Sequence, residues 1–219
     1  MKIIELKETV TASNDRDAQV LREELKAKGT LLINLMASPG AGKTTLLERT
    51  IRDFKDRMHI AVMEADVDSD VDAVRIEQIG AKAVQAHTDG MCHMDAGMTR
   101  RALEALGDEP FDLVFLENVG NLICPAEFDT GAGRCVMLLS VPEGDDKPLK
   151  YPLMFSKSDV LIITKTDVAP YFDFDVDACV ARARKLNPGI RVFTVSAKTG
   201  DGFAAWEDWV SEQVKEWKE

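Results

Sequence analysis

One loop near the start of the chain has the residue types and spacing needed to bind phosphate. Residues 37–44 match the pattern G-x-x-x-x-G-K-[ST], with Ala37 at the first glycine position. Gly40 and Gly42 let backbone N–H groups approach a polyanion closely. Lys43 can reach the outer phosphates, and Thr44 can offer its hydroxyl to a divalent cation. We expect the nucleotide to contact Gly40, Ala41, Gly42, Lys43, Thr44 and Thr45.

A carboxylate and a glycine follow the apolar run at 111–116. Glu117 and Gly120 have the spacing of a Walker B carboxylate and of the switch glycine that senses a γ-phosphate. Asp66 follows another apolar run and could approach the same cation. Because Mg²⁺ favours one or two carboxylates with phosphate oxygens and waters, the predicted Mg²⁺ ligands are Thr44, Asp66 and Glu117. The residues expected to act in catalysis are Lys43, Thr44, Glu117 and Gly120.

Two short segments in the last third of the chain predict recognition of guanine. Residues 164–167 read T-K-T-D where guanine-binding GTPases carry N-K-x-D, so Thr164 replaces the usual asparagine. The Asp167 carboxylate can accept the N1 and N2 hydrogens of guanine, and the Lys165 stem can pack on the ring. Adenine lacks the 2-amino donor and would leave a buried acceptor unpaired. A second motif, S-A-K, supplies a backbone N–H to the guanine carbonyl and comprises Ser196, Ala197 and Lys198. GTP or GDP is the predicted ligand.

Two thiols and one imidazole could bind a transition metal. Cys92 and His93 are adjacent, so they can share an ion only from a loop or a helix start. Cys124 follows the segment that contains Gly120 and would move with it. Such a ligand set suits Zn²⁺ or Ni²⁺. From these residues alone, ordinary buried thiols beside a surface histidine are the favoured interpretation, and metal binding is the alternative.

The elements that must position these groups alternate between strand-like and helix-like runs. This pattern predicts an α/β fold with a mostly parallel central sheet flanked by helices on both faces. A first helix is expected at 15–28, capped by Asn14 and ended by Gly29. Strands are expected at 30–36, 60–63, 83–85, 111–116, 134–141, 160–163 and 192–195, and further helices after residue 44 and at 71–79, 96–106, 176–186 and 203–218. Ligands of such sheets bind at the carboxyl ends of the strands.

Composition limits the class of protein. With 219 residues, of which 45% are hydrophobic, the chain can bury one substantial core, and we expect a GTPase domain at 30–219 with an N-terminal helical extension at 1–29 packed on it. No apolar run is long enough to cross a bilayer and no secretion signal is evident, which predicts a cytoplasmic protein without membrane partners. The net charge of −11 argues against nucleic acid as a partner. Four cysteines are too few for a disulfide framework, so we expect thiols, with Cys135 and Cys179 in the core.

Three segments together resemble the HypB family, GTPases that assist nickel insertion into [NiFe]-hydrogenases. These are residues 117–126, the Cys92–His93 pair and residues 143–152, within a resemblance that runs from about residue 31 to the C-terminus. The resemblance implies a P-loop NTPase fold of the SIMIBI type and a homodimer when GTP is bound. It also implies a Ni²⁺ or Zn²⁺ site at the dimer interface formed by Cys92, His93 and Cys124. The implied partners are other hydrogenase maturation proteins and the hydrogenase large subunit.

One family feature is missing from this sequence. Some members carry an N-terminal C-x-x-C-G-C motif or a histidine-rich stretch, whereas the three histidines here are His59, His87 and His93. We therefore do not expect a tight nickel store at the N-terminus.

The predicted activity is slow, Mg²⁺-dependent hydrolysis of GTP that is linked to metal affinity. No glutamine or arginine can be assigned from the sequence to position the attacking water. Two alternatives remain open. A P-loop small-molecule kinase would leave the T-K-T-D and S-A-K motifs without a purpose. A metal-binding adaptor would use GTP only to govern dimerisation.

Overall fold

A computed structural model describes residues 6–66 and 71–219 of the chain, and a seven-stranded sheet forms its centre. The strands are β1 (Leu31–Ala37), β2 (Ile60–Asp66), β3 (Lys82–His87), β4 (Leu113–Glu117), β5 (Arg134–Ser140), β6 (Val160–Thr164) and β7 (Arg191–Thr194). Their order is β3-β2-β4-β1-β5-β6-β7, and each neighbouring pair is parallel. The predicted fold class is confirmed.

The helices connect these strands in the predicted alternation. They are α1 (Leu6–Lys28), α2 (Lys43–Phe54), α3 (Val71–Gln78), α4 (Ala96–Leu106), α5 (Cys124–Glu127), α6 (Lys147–Lys150), α7 (Pro152–Lys157), α8 (Val176–Leu186) and α9 (Phe203–Lys218). The predicted bounds of α4, α8 and α9 are correct. The short helices α5, α6 and α7 were not predicted, because four to six residues are too few to show a helical period. Within the described ranges, no helix has the length and apolarity needed to cross a membrane.

Side chains alternate along β1 and supply both faces of the sheet. Leu31, Ile33 and Leu35 belong to a core that α2 and α9 cover. On the opposite face, Leu32 packs in a core with residues of α1 and α4, and Met36 packs in one with residues of α7 and α8. The sheet is thus covered by helices on both faces, which leaves its strand ends open for ligands.

The start of α1 differs from the prediction. The helix includes residues from Leu6 onward, so Asn14 lies inside it and is not its cap. The Asn14 amide instead donates to the Asp129 carbonyl at 2.9 Å and accepts from the Ala96 N–H at 3.0 Å. An asparagine that looks like a cap in the sequence therefore satisfies the first turn of a different helix, α4. Gly29 ends α1 with φ of 69°, as predicted.

The two cysteines assigned to the core differ in burial. Cys179 is fully buried between α8 and the sheet. Cys135 is half-buried and packs against the same core. Burial, as the main cause, raises the pKa of both thiols to about 12, so both stay protonated and unreactive at neutral pH.

Candidate nucleotide and metal sites

The loop between β1 and α2 has the backbone shape that phosphate binding needs. Gly40 and Gly42 have φ of 74° and 101°, a region that residues with side chains rarely adopt. The Lys165 ammonium donates to the Gly40 carbonyl at 2.6 Å, and the Thr164 hydroxyl donates to the Ala41 carbonyl at 2.7 Å. Thr164, which replaces the usual asparagine, is the last residue of β6 and therefore holds the phosphate loop against this strand.

A cleft of about 540 Å³ opens beside this loop. Thr44 donates through its hydroxyl to Glu117 at 2.9 Å, and the Lys43 ammonium lies 3.9 Å from the same carboxylate oxygen. Asp66 lines the cleft as well. One hydroxyl and two carboxylates thus face one cavity beside a buried lysine, a set of hard oxygen donors that fits Mg²⁺.

Two further charged residues, Glu64 and Arg75, line this cleft and are not among those predicted from the sequence. Glu64 is buried, lines the cleft and lies opposite Glu117 in the register of β2 and β4. Its two-residue spacing from Asp66 was a usable signal, since residues i and i+2 of a strand share a face. Arg75 also lines the cleft and pairs with Glu48 at 2.7 Å. No local pattern could have found Arg75, because its place depends on how α3 packs over α2.

The segment after β4 lies directly on the phosphate loop. The Asn121 N–H donates to the Ala37 carbonyl at 2.8 Å. A methyl group on Gly120 would lie 3.0 Å from Pro39 Cγ and 3.1 Å from Pro39 N, closer than side chains normally approach. Gly120 is therefore required for this close contact between the two loops.

A second cleft, of about 340 Å³, continues from the first toward β6 and β7. Asp167 lines it and accepts a hydrogen bond from the buried Ser196 hydroxyl at 2.8 Å. The Ser196 N–H donates to the Asp201 carbonyl at 3.0 Å, so Ser196 orients the carboxylate with its side chain. Ala197 and Lys198 also line this cleft. The predicted base-recognition residues are thus brought together beside the phosphate loop.

The three predicted metal ligands meet beyond the carboxyl ends of β3 and β4. Ligand atoms of Cys92, His93 and Cys124 all lie within 4.8 Å of one another. Cys92 and His93 lie in the loop before α4, and Cys124 is the first residue of α5. The loop conformation lets two adjacent residues face one point, which a regular helix would prevent. Two sulfur atoms and one nitrogen could hold a tetrahedral or square-planar ion with a coordination position left open.

The imidazole of this cluster is fixed by an aromatic neighbour. His93 is buried and stacks on Phe128, with ring centroids 3.9 Å apart and 11° between the planes. Burial lowers the pKa of His93, although Asp95 and Glu127 act in the opposite direction, so the neutral form that binds metal is favoured. No local pattern predicts the contact of Phe128 with His93, since the stacking depends on the packing of α5.

The Cys124 thiol of the cluster favours its protonated form. A hydrogen bond with Cys92, followed by burial, raises the pKa of the Cys124 thiol. Because a metal binds the thiolate, occupation of this cluster requires loss of protons.

Comparison with known proteins decides the family. The model of the CobW/HypB/UreG nucleotide-binding domain matches residues 31–194. The hydrogenase maturation factor HypB of Rhizobium leguminosarum is 46% identical over 209 residues, which cover 95% of this chain and 70% of that protein. The chain belongs to the HypB family. This membership confirms the resemblance inferred from the motifs, and it places the chain among P-loop GTPase domains.

Solved structures agree with the HypB assignment. HypB from Helicobacter pylori, in complex with nickel, has a TM-score of 0.88 and 39% identity, and the match covers 93% of this chain and 96% of that one. The signal recognition particle receptor FtsY from Elizabethkingia anophelis, in complex with GDP, has a TM-score of 0.54 at 14% identity, covering 80% of this chain and 64% of that one. The second likeness concerns the fold alone, which is that of SIMIBI-class P-loop proteins.

Proposed function

We propose that this HypB-family chain is a GTP-hydrolysing metallochaperone that binds nickel or zinc and assists nickel insertion into [NiFe]-hydrogenase. The observation that carries the proposal is the position of Cys124, which clusters with Cys92 and His93 and lies four residues after Gly120 at the phosphate loop. The segment that contacts the phosphate loop therefore also supplies a metal ligand. The nickel complex of the Helicobacter pylori relative supports nickel as the cargo.

The nucleotide part of the proposal rests on the two adjoining clefts. Lys43 and the backbone amides of the phosphate loop stabilise negative charge on the phosphates, and Asp167 with Lys165 selects guanine. Thr44, Asp66 and Glu117 would hold Mg²⁺, which when bound neutralises phosphate charge. Ser196 fixes the Asp167 carboxylate so that its acceptors face the base cleft. Hydrolysis is slow in this proposal, because no residue is assigned to position the attacking water.

The proposal includes a homodimer in the GTP-bound state, with the metal site at the interface. Its support is the exposed apolar surface beside the cluster: Met91 is 47% exposed and Ile123 is 56% exposed, and each precedes one of the two cysteines. Apolar side chains with this exposure are favourable sites for contact with another protein. The further proposed partners are hydrogenase maturation proteins and the hydrogenase large subunit, in the cytoplasm.

The proposed domain division keeps an N-terminal helical extension at 1–29 and a GTPase domain at 30–219. The family match from residue 31 supports this boundary. Leu21 and Leu25 of α1 are buried against the sheet, and Arg22 pairs with Asp129 at 2.6 Å. These contacts support an extension that packs on the domain. Residues 1–5 lie outside the described part of the chain.

Metal titration tests the proposal directly. We expect Cys92→Ala and Cys124→Ala each to weaken Ni²⁺ and Zn²⁺ binding by more than the roughly 10- to 100-fold typical of losing an outer-shell partner. Cys179→Ala is the matched control, because this thiol is buried away from the cluster. Each titration is performed with GDP and with a non-hydrolysable GTP analogue.

The outcomes separate the parts of the proposal. Unchanged metal affinity in Cys92→Ala would overturn the metal site, and equal affinity in the GDP and GTP-analogue states would remove the linkage between nucleotide and metal. A Lys43→Ala protein that still supports hydrogenase maturation would favour the adaptor without catalysis.

A further inference from the structure

Glu117, the last residue of β4, and Asn118, which follows it, send their side chains to opposite faces of the sheet. Glu117 faces the phosphate cleft, where it accepts from Thr44 at 2.9 Å. Asn118 is buried, 1% exposed, and donates to the side-chain oxygen of Asn34 at 3.1 Å on the face that α1 and α4 cover. This follows from strand geometry, in which neighbouring side chains alternate in direction.

The Asn118 side chain also holds the loop that carries two of the three clustered ligands. Its Oδ1 atom accepts from the Met94 N–H at 3.2 Å and from the Val119 N–H at 2.9 Å. Met94 is buried and directly follows His93. The side-chain oxygen of Asn118 therefore accepts hydrogen bonds both from the loop that carries Cys92 and His93 and from the segment that contacts the phosphate loop.

The third ligand is held by a second asparagine of the same segment. Asn121 donates through its N–H to the Ala37 carbonyl at 2.8 Å. Its side-chain oxygen accepts from the N–H groups of Ile123 at 2.7 Å and Cys124 at 3.3 Å. Both halves of the metal cluster are thus attached to residues 118–121, one half through each asparagine.

We propose that Asn118 is a positioning residue that transmits the nucleotide state to the Cys92–His93 half of the metal cluster. The inference rests on the proposed linkage between GTP and metal. A shift of residues 118–121 on binding of a γ-phosphate moves the Met94 amide and Cys124 together, so that both halves of the cluster reach their ligating positions in the same nucleotide state. Without Asn118, only Cys124 moves with the nucleotide, so the two halves of the cluster no longer move together. The metal affinity then loses its dependence on the nucleotide.

The test compares metal affinity between nucleotide states in four proteins: wild type, Asn118→Ala, Asn118→Asp and Asn34→Ala. The readout is the ratio of the Ni²⁺ dissociation constants with GDP and with a non-hydrolysable GTP analogue, which for allosteric pairs is typically about 5-fold or more. We expect this ratio to fall toward 1 in Asn118→Ala. Asn118→Asp keeps an acceptor for the Met94 N–H and is expected to keep the ratio.

Asn34→Ala is the matched control. It removes the acceptor of the hydrogen bond that the Asn118 amide donates, while the hydrogen bond from the Met94 N–H to Asn118 is kept. We therefore expect lower stability and an unchanged ratio of the two Ni²⁺ dissociation constants. A merely structural role of Asn118 would instead shift both Ni²⁺ affinities together and keep their ratio in every variant, which would overturn the inference. A wild-type ratio of 1 would overturn the proposed linkage itself, which is a distinguishable failure.

Amide hydrogen exchange of the wild-type protein provides a test that does not depend on the folding of a variant. The Met94 N–H is predicted to exchange at different rates with GDP and with the GTP analogue, because its acceptor moves. The Ala102 N–H, in the middle of α4, is the internal reference and should exchange at the same rate in both states. Equal Met94 exchange in both states, in a protein that retains nucleotide-dependent Ni²⁺ affinity, would contradict the role of Asn118.

Discussion

The hydroxyl of Thr44, at the start of α2, donates a hydrogen bond directly to the carboxylate of Glu117, at the end of β4, over 2.9 Å. The two residues are 73 positions apart in the sequence. Their contact lies in the phosphate cleft and connects the start of α2 with the strand end that leads to Cys124. A cation bound between them would have to replace this hydrogen bond.

Replacing the Glu117 carboxylate by an amide should remove catalysis while nucleotide binding is kept. We expect Glu117→Gln to slow single-turnover phosphate release from GTP by about 100-fold or more, the usual effect of losing one preorganised electrostatic group. GDP affinity without Mg²⁺ should change by less than about threefold, because Lys43 and the loop amides remain. Glu109→Gln, which alters an exposed partner of Lys82, is the control and should leave hydrolysis unchanged. Wild-type hydrolysis in Glu117→Gln would contradict the assignment.

A methyl group at Gly120 should separate the two loops of the cleft. Because this methyl would lie 3.0 to 3.2 Å from three atoms of Pro39, Gly120→Ala must displace either residue 39 or the segment itself. We expect GTP-analogue affinity to fall by about 10-fold, or roughly 1.4 kcal/mol, with a smaller effect on GDP. Gly97→Ala is the control, since its nearest neighbours lie at 3.5 Å or more and it sits in α4. Isothermal titration with both nucleotides measures the difference, and equal losses for GDP and the analogue would count against a γ-phosphate sensor.

Changing the Asp167 carboxylate to an amide should alter base preference. Guanine presents two donors to this carboxylate, whereas xanthine presents a carbonyl in place of the 2-amino group. Asp167→Asn is therefore expected to weaken GTP binding by at least about 10-fold and to improve the relative affinity for XTP. Ser196→Ala removes the hydrogen bond that orients Asp167 and should weaken GTP several-fold without a change of preference. Competition binding with GTP, ATP and XTP reports both effects, and an unaltered preference in Asp167→Asn would refute base recognition by this residue.

The Asp112 carboxylate should contribute stability that is lost in acid. Burial alone would raise the pKa of Asp112, but the Lys218 ammonium and the His59 N–H, which donates at 2.7 Å, together lower it. A lowered folded-state pKa stabilises the protein above the unfolded value, near 3.9, and this stability disappears as pH falls through the folded value. Asp112→Asn should cost about 0.5–1 kcal/mol at pH 7, since the pair is partly exposed, and the cost should shrink below pH 4.

Urea denaturation of wild type and Asp112→Asn between pH 3 and pH 7 measures this difference. Asp108→Asn, on an exposed neighbouring residue, is the control. A difference that stays constant over the whole range would show that the Asp112 charge is not its source.

The sequence by itself determined the fold class and the position of the phosphate loop. Residues 37–44 form the phosphate loop where the motif places it, and the alternation of apolar runs predicted the parallel sheet and the bounds of α4, α8 and α9. These features are local: glycine freedom, lysine charge and side-chain periodicity act over a few residues, so a single segment contains the information. The metal cluster needed family resemblance as well, because Cys92, His93 and Cys124 could equally be two ordinary thiols and a surface histidine.

Only the tertiary structure decided how the two sites are joined. Three contacts connect residues that are distant in sequence. They are the stacking of His93 on Phe128, the hydrogen bond from Met94 to Asn118 and the hydrogen bond from Ala96 to Asn14. Such contacts depend on the order of strands in the sheet and on which helix covers which face. The hydrophobic period of a single segment predicts neither the strand order nor the face that a helix covers, because both depend on the packing of the whole core.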